Sequence, residues 1–267
     1  MTLDEIAARG VVLLGCGRMG GAMLRGWLGE GMPPAALHVV EPAPADWLRA
    51  TGVALNAPLP ESPAVLILAV KPQMMDAALP QVAHLGGPDT LALSIAAGTP
   101  LARFEAALPG GTPIVRAMPN LPASVGRGVT ALIGNAVAGA TGLALAEELL
   151  RGLGETVRLE SEAQMDAVTA VSGSGPGYVF HFVEALAAAG EAQGLAPDLA
   201  MTLARATVSG AGALLDASED SATALRESVT SQKGTTAAGL DVLMADLPDL
   251  MRRTVAAAAD RSRELGT

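Results

Sequence analysis

Residues 11–20 constrain the fold more than any other stretch of the chain. Val11–Leu14 is a short β-branched and leucine run that ends directly on Gly15-Cys16-Gly17-Arg18-Met19-Gly20. Residues 20–28 follow with helical spacing of Met23, Leu24 and Trp27. A GxGxxG pattern alone says little. Between a strand and a helix it describes a turn that cradles a dinucleotide pyrophosphate. In that turn Gly15 permits the sharp bend, Gly17 lets the phosphates approach the backbone, and Gly20 lets helix and strand pack closely. The helix N-terminus offers unpaired N–H groups and a partial positive charge. Cys16, Arg18 and Met19 complete the loop. Cys16 reads as a small residue with a free backbone amide, since no histidine lies near it in sequence.

Apolar runs and helical segments alternate beyond this point. Leu37–Val40 is the next strand candidate, and residues 65–70, apolar at every position, read as a strand buried on both faces. Residues 91–95 and 114–117 are two more, residues 129–133 a weaker one, and residues 156–159 the last. Thr99 and Pro100 are expected to start a helix as N-cap and first helical residue. Residues 141–153 form another helix. This alternation implies a mainly parallel sheet covered on both faces, a Rossmann-type α/β domain spanning residues 1–160.

No convincing strand follows Glu160. Residues 162–171, 176–193, Pro197–Ala217, 235–245 and 247–265 all read as helices, so residues 161–267 are expected to form an all-α domain. Leu240, Leu243 and Met244 share one face at i, i+3, i+4 spacing. This half is narrow and alanine-rich, so either its apolar surface is hidden in a homodimer built through its helices, which is the expectation, or the chain is a compact monomer.

Composition narrows the functional classes. A net charge of −10 with no basic stripe argues against nucleic acid and anionic membranes as partners. The longest apolar runs are too short to span a bilayer. Residues 1–9 lack the basic-then-apolar order of a signal peptide. The single cysteine, Cys16, rules out an internal disulfide and fits a cytoplasmic location. No cluster of metal ligands is evident. With aromatic residues at 2%, the core must be aliphatic, and eleven methionines are available to fill gaps.

Several residues fall where such a sheet binds its ligand. Glu41 ends the second strand, 21 positions after Gly20, where a carboxylate accepts hydrogen bonds from the adenosine ribose or stands as a solvated charge in a turn before Pro42. A carboxylate there repels a 2′-phosphate and leans the chain toward NADH, while Arg18 keeps NADPH open. Ala69-Val70-Lys71-Pro72 ends a third strand at the carboxyl edge of the sheet, with Lys71 either a donor to the nicotinamide ribose or a solvated lysine. Asn120, in Met118-Pro119-Asn120, holds the corresponding end of a later strand, as a ligand contact or as a turn residue.

Two segments of the helical half present backbone in place of side chains. Ser172-Gly173-Ser174-Gly175-Pro176-Gly177-Tyr178 opens a helix, with Ser174 or Gly175 as its cap. Ser231-Gln232-Lys233-Gly234-Thr235-Thr236 opens another and brings two hydroxyls. Each is either a capping turn or a set of amides offered to a ligand carboxylate.

With these motifs in this order, nearly the whole chain resembles the pyrroline-5-carboxylate reductase family. The resemblance implies a Rossmann domain followed by a helical domain, dimers formed through the helices and often assembled into decamers. It implies reduction of 1-pyrroline-5-carboxylate to L-proline, in proline biosynthesis, with NADH or NADPH. By position it places the substrate carboxylate on the amides around Gly234, Thr235 and Thr236, with Ser174 and Ser231 nearby. Thr236 matches a threonine that bonds near the ring nitrogen, and Glu219 a glutamate that contacts that nitrogen in some members. The chain departs from the family pattern at Gln232-Lys233, where Pro-Gly is frequent, at Gly177, where alanine is usual, and at Leu121, where threonine is often found.

Two other readings stand beside this one. A 3-hydroxyacid dehydrogenase shares the two-domain plan but calls for a lysine base on an early helix of the second domain. After Lys71 the only lysine is Lys233, in a turn. A non-catalytic dinucleotide-binding regulatory protein would explain the Gln232-Lys233 departure.

Overall fold

The computed structural model describes residues 3–266. Eight strands form one sheet in the order β3-β2-β1-β4-β5-β6-β7-β8. They are β1 (Val11–Leu14), β2 (Leu37–Val40), β3 (Ala54–Leu55), β4 (Val65–Leu68), β5 (Leu91–Ser94), β6 (Ile114–Met118), β7 (Gly128–Gly134) and β8 (Gly154–Arg158). Every pairing is parallel except β6 with β7. The chain starts in the middle of the sheet, builds outward to β3, then crosses back to β4. The connections after β1 and β4 therefore diverge, and this is the place where open α/β sheets hold their ligands.

Alternation along the central strands explains the two-sided core. Val11, Leu13, Val65, Ile67, Leu91 and Leu93 join one buried cluster with Met23, Leu24 and Trp27 of helix α2 (Arg18–Gly29), the helix that follows the short α1 (Leu3–Arg9) and β1. Val12, Leu14, Leu66, Leu68 and Ala92 face the opposite cluster, with Met75, Leu79, Val82 and Phe104. A strand buried on both sides has no polar phase, which is why these runs are apolar throughout. Trp27 Nε1 donates to the Leu149 carbonyl at 2.8 Å and ties α2 to the helix Gly139–Leu150. Strand β3 had no visible signature, being two residues long.

The helix start expected at Thr99-Pro100 is displaced. The helix is Leu101–Ala107, with Pro100 as its N-cap and no side-chain cap. Thr99 is 1% exposed, and its hydroxyl is buried without a hydrogen-bond partner among the described residues. The cap comes from far along the chain. Glu162 Oε1 accepts from the Leu101 amide at 2.8 Å and from Arg116 Nη1 at 2.7 Å. Arg116 sits in β6 with its side chain 9% exposed, so the carboxylate neutralises a buried cation as well as a helix end. Replacing Glu162 with alanine leaves both donors without their acceptor. With about a third of the Glu162 side chain exposed, water offsets part of the loss, and the expected cost is about 2 kcal/mol. A thermal melt of Glu162→Ala should fall by about 4–8 °C, with Glu162→Gln falling less.

Contacts divide the chain into two units. The first runs to Gly173 and regains the residues from Ala259 onward; the second is Ser174–Ala258. The sheet stops at Arg158, next to the pattern change at Glu160. The segment after it clusters with the sheet because Glu162 is tied to Arg116 and Leu101, and because Ser262 Oγ donates to Asp166 at 2.6 Å.

In the second unit, the helices Gly175–Ala192 and Pro197–Ala217 pack through Val183, Ala187, Ala200 and Ala204. A short helix, Ala222–Ser228, has no counterpart among the helices expected from the sequence. The two helices expected over residues 235–245 and 247–265 are one helix, Thr235–Leu265, that runs through Pro248. Proline removes a single N–H from the ladder, and Pro248 is exposed. Phe180, Phe182, Leu203, Leu214, Val242 and Met244 are all exposed in the single chain. The face built on Leu240, Leu243 and Met244 is likewise not covered within one chain, as Leu243 is 40% and Met244 52% exposed.

Candidate functional site

The carboxyl ends of β1, β2 and β4 are neighbours in the sheet, and each carries one of the segments singled out from the sequence. Together they frame a cleft of about 360 Å³. Gly15, Gly17, Glu41, Ala69, Val70 and Lys71 line it, joined by Pro42, Asn56, Met74 and Gln81. Cys16, Arg18, Met19, Gly20, Pro72 and Asn120 do not line it.

The three loop glycines have different reasons to be glycine. Gly15 has φ +89°, and a Cβ there would sit 2.8 Å from Val70 Cγ1 and 2.9 Å from the Ala69 carbonyl oxygen. A Cβ on Gly20 would sit 2.5 Å from the Gly15 carbonyl oxygen. These two close the turn. Gly17 meets no atom within 4 Å and has an ordinary φ of −70°. Nothing in the chain itself requires a glycine at that position. A Cβ would intrude on the cleft that Gly17 lines, so the space beside it fits a phosphate that must reach the backbone at the start of α2.

Glu41 lies one residue beyond β2. Its Oε2 accepts from the Cys16 amide at 2.8 Å and its Oε1 from the Ala43 amide at 3.0 Å. The Cys16 amide is therefore engaged, not free as expected, because the carboxylate folds back over the glycine loop. Burial and the Glu41 charge push the Cys16 thiol up to about 11, so it remains protonated at neutral pH and is not a nucleophile. A carboxylate has about four lone-pair sites, so two stay available for ligand hydroxyls.

The Ala69-Val70-Lys71-Pro72 segment follows β4. The Ala69 amide still joins the ladder, donating to the Leu14 carbonyl at 2.8 Å, and Lys71 caps the turn Pro72–Met74. Lys71 is exposed on the cleft wall. Asn120 is committed to internal bonds. Its Oδ1 accepts from the Val129 amide at 3.0 Å and its Nδ2 donates to the Ser172 carbonyl at 3.2 Å. It thus braces β7 and the wide helical turn Thr169–Gly173, a π-type bulge of the kind found at functional positions.

In the second unit, Ser174 is the N-cap of Gly175–Ala192 and makes no side-chain cap bond. Ser231 to Gly234 form a tight turn, the Gly234 amide donating to the Ser231 carbonyl at 3.0 Å. A Cβ on Gly234 would lie 2.2 Å from Ser231 Oγ. Lys233 has φ +61°, the left-handed conformation that favours glycine. The turn therefore closes without the Pro-Gly pair, with lysine held in a backbone state that costs roughly 1 kcal/mol. Thr235 and Thr236 open the last helix and are exposed. Glu219 is exposed in the connection between Pro197–Ala217 and Ala222–Ser228. Among the described residues there is no metal-ligating cluster and no helix long and apolar enough to cross a membrane.

Sequence comparisons divide the chain in a similar way. A family model described as NADP oxidoreductase, coenzyme F420-dependent, matches residues 10–98, and one described as pyrroline-5-carboxylate reductase dimerisation matches residues 162–265. A pyrroline-5-carboxylate reductase from Pseudomonas aeruginosa is 37% identical over 262 residues, 96% of each chain. The solved pyrroline-5-carboxylate reductase of Coxiella burnetii is similar with a TM-score of 0.91 at 31% identity, covering 97% of this chain and 99% of that one. The pyrroline carboxylate reductase of Plasmodium falciparum, solved with NADP bound, gives a TM-score of 0.81 at 26% identity, covering 97% and 98%. These matches run through the glycine loop, the sheet and the helical half alike. The chain belongs to the pyrroline-5-carboxylate reductase family.

Proposed function

We propose that this chain reduces 1-pyrroline-5-carboxylate to L-proline, with Glu41 favouring NADH. The observation that carries the activity is the full-length likeness to reductases of that name, joined to a cleft whose glycines fit a dinucleotide. The reduced nicotinamide supplies a hydride to the imine carbon of the pyrroline ring. The chain's own work is placement. Backbone amides at the start of α2 hold the pyrophosphate. Glu41 takes the adenosine ribose on its two remaining lone-pair sites, and Lys71 meets the nicotinamide ribose. The amides around Gly234 and Thr235, with Ser174 and Ser231, hold the substrate carboxylate. The Thr236 hydroxyl aligns the ring nitrogen, with Glu219 a further contact to it. A cyclic imine accepts hydride far more readily once its nitrogen is protonated, so binding the iminium form removes the need for a strong protein acid. Orientation of this kind lowers a barrier by roughly 7–11 kcal/mol in favourable cases. The working form, in the cytoplasm, is a homodimer through the helical unit, a pairing that the match to a dimerisation family model over residues 162–265 supports.

Incubation with 1-pyrroline-5-carboxylate should consume NADH and yield L-proline; no turnover with either dinucleotide overturns the assignment. Removing the Glu41 carboxylate takes away charge-assisted hydrogen bonds to the ribose. Glu41→Ala should raise KM for NADH about 10-fold. Losing the partner of the Cys16 amide loosens the loop for both cofactors, so the informative quantity is the ratio. NADPH must suffer less than NADH, and equal losses reject the ribose role.

A further inference from the structure

Asn56 lies one residue past β3, at an exposed position in the same cleft wall as Glu41. Its amide donates to the Val39 carbonyl at 2.8 Å and prolongs the β2–β3 ladder by one step. Its φ is +50°, a left-handed conformation that asparagine tolerates better than most residues. Its side chain then meets the backbone of Glu41 at two points. Asn56 Oδ1 accepts from the Glu41 amide at 2.9 Å, and Asn56 Nδ2 donates to the Glu41 carbonyl at 2.9 Å. The side-chain amide thus stands in for a neighbouring strand residue at a point where the sheet has already ended. It satisfies both polar groups of a backbone unit that would otherwise be free to rotate.

We propose that Asn56 is a positioning residue for dinucleotide selectivity: it clamps the Glu41 backbone so that the carboxylate stays over the glycine loop. The linkage is continuous, from Asn56 to the Glu41 backbone and from Glu41 Oε2 to the Cys16 amide at 2.8 Å. It joins the ends of β3, β2 and β1. Without the clamp, Glu41 gains rotational freedom, and the ribose acceptor must be ordered at the moment of binding. The proposal rests on the ribose role of Glu41 and adds a residue that acts through it.

The test is a double-mutant cycle read as the ratio of kcat/KM for NADH to kcat/KM for NADPH. Asn56→Gly keeps the left-handed backbone accessible and deletes the amide. Two solvent-exposed neutral hydrogen bonds are at stake, so the ratio should fall about 3-fold in the wild-type background. In the Glu41→Ala background, the same substitution should leave the ratio where Glu41→Ala put it. An equal fall in both backgrounds means that Asn56 meets the cofactor on its own account and overturns the proposal. An unchanged ratio on Asn56→Gly, with a clear shift on Glu41→Ala, rejects the clamp while the ribose role stands. No shift on Glu41→Ala removes both. Asn56→Ser, which is neutral and too short to reach both the Glu41 amide and the Glu41 carbonyl, should move the ratio in the same direction and serves if the glycine variant does not fold.

Discussion

Substituting alanine for Gly20 is expected to weaken NADH and NADPH together by about 100-fold, the scale of loss caused by a misplacement of about 1 Å. The added Cβ would meet the Gly15 carbonyl oxygen at 2.5 Å and the Ala69 Cβ at 3.3 Å. The first of these is backbone and cannot swing away. Helix α2 must shift from the end of β1, and its N-terminal amides shift with it. Gly17→Ala is the internal control. Its Cβ meets nothing within 4 Å, so the melting temperature should hold while cofactor affinity falls. Gly20→Ala should lose both. Fluorescence titration with each dinucleotide and a thermal melt separate the two cases. Wild-type affinity in Gly20→Ala removes the helix terminus from the binding site.

The second large effect concerns turnover. Thr236→Ala should lower kcat about 100-fold while the KM for NADH stays near its wild-type value, because the hydroxyl is assigned to the substrate nitrogen and the dinucleotide site belongs to the first unit. Thr236→Ser keeps the hydroxyl and should restore most of the rate. Steady-state kinetics with saturating cofactor decide the matter. An alanine variant that turns over normally dismisses Thr236 from the reaction. Thr236 opens a long helix, where threonine and alanine are both tolerated at an exposed site, so a loss of rate with an unchanged melt cannot be blamed on unfolding.

Much of this architecture was legible because its strands are buried on both faces. Residues such as Val65, Leu66, Ile67 and Leu68 have no solvent side, so the run is unbroken. The glycine loop was legible because its position between strand and helix is written in the local sequence. The features that escaped are decided by distant partners. Glu162 caps a helix that starts 61 residues earlier, and no local pattern around Thr99-Pro100 announces it. Asn56 has no signature of its own in the sequence, and its value lies in reaching Glu41 across the sheet edge. The two helices read over residues 235–245 and 247–265 are one, Thr235–Leu265, and no local pattern between them announces that the helix continues.

The second unit hides little more than Ala187, Ala200 and Ala204 within one chain, while leaving Phe180, Phe182, Leu214 and Val242 open to water. A solitary copy of this protein should consequently be vulnerable to chaperone capture and proteolysis until it meets its twin. Pairing is a second-order event, so the surviving amount should climb more steeply than gene dosage at low expression and flatten towards proportionality once copies are plentiful.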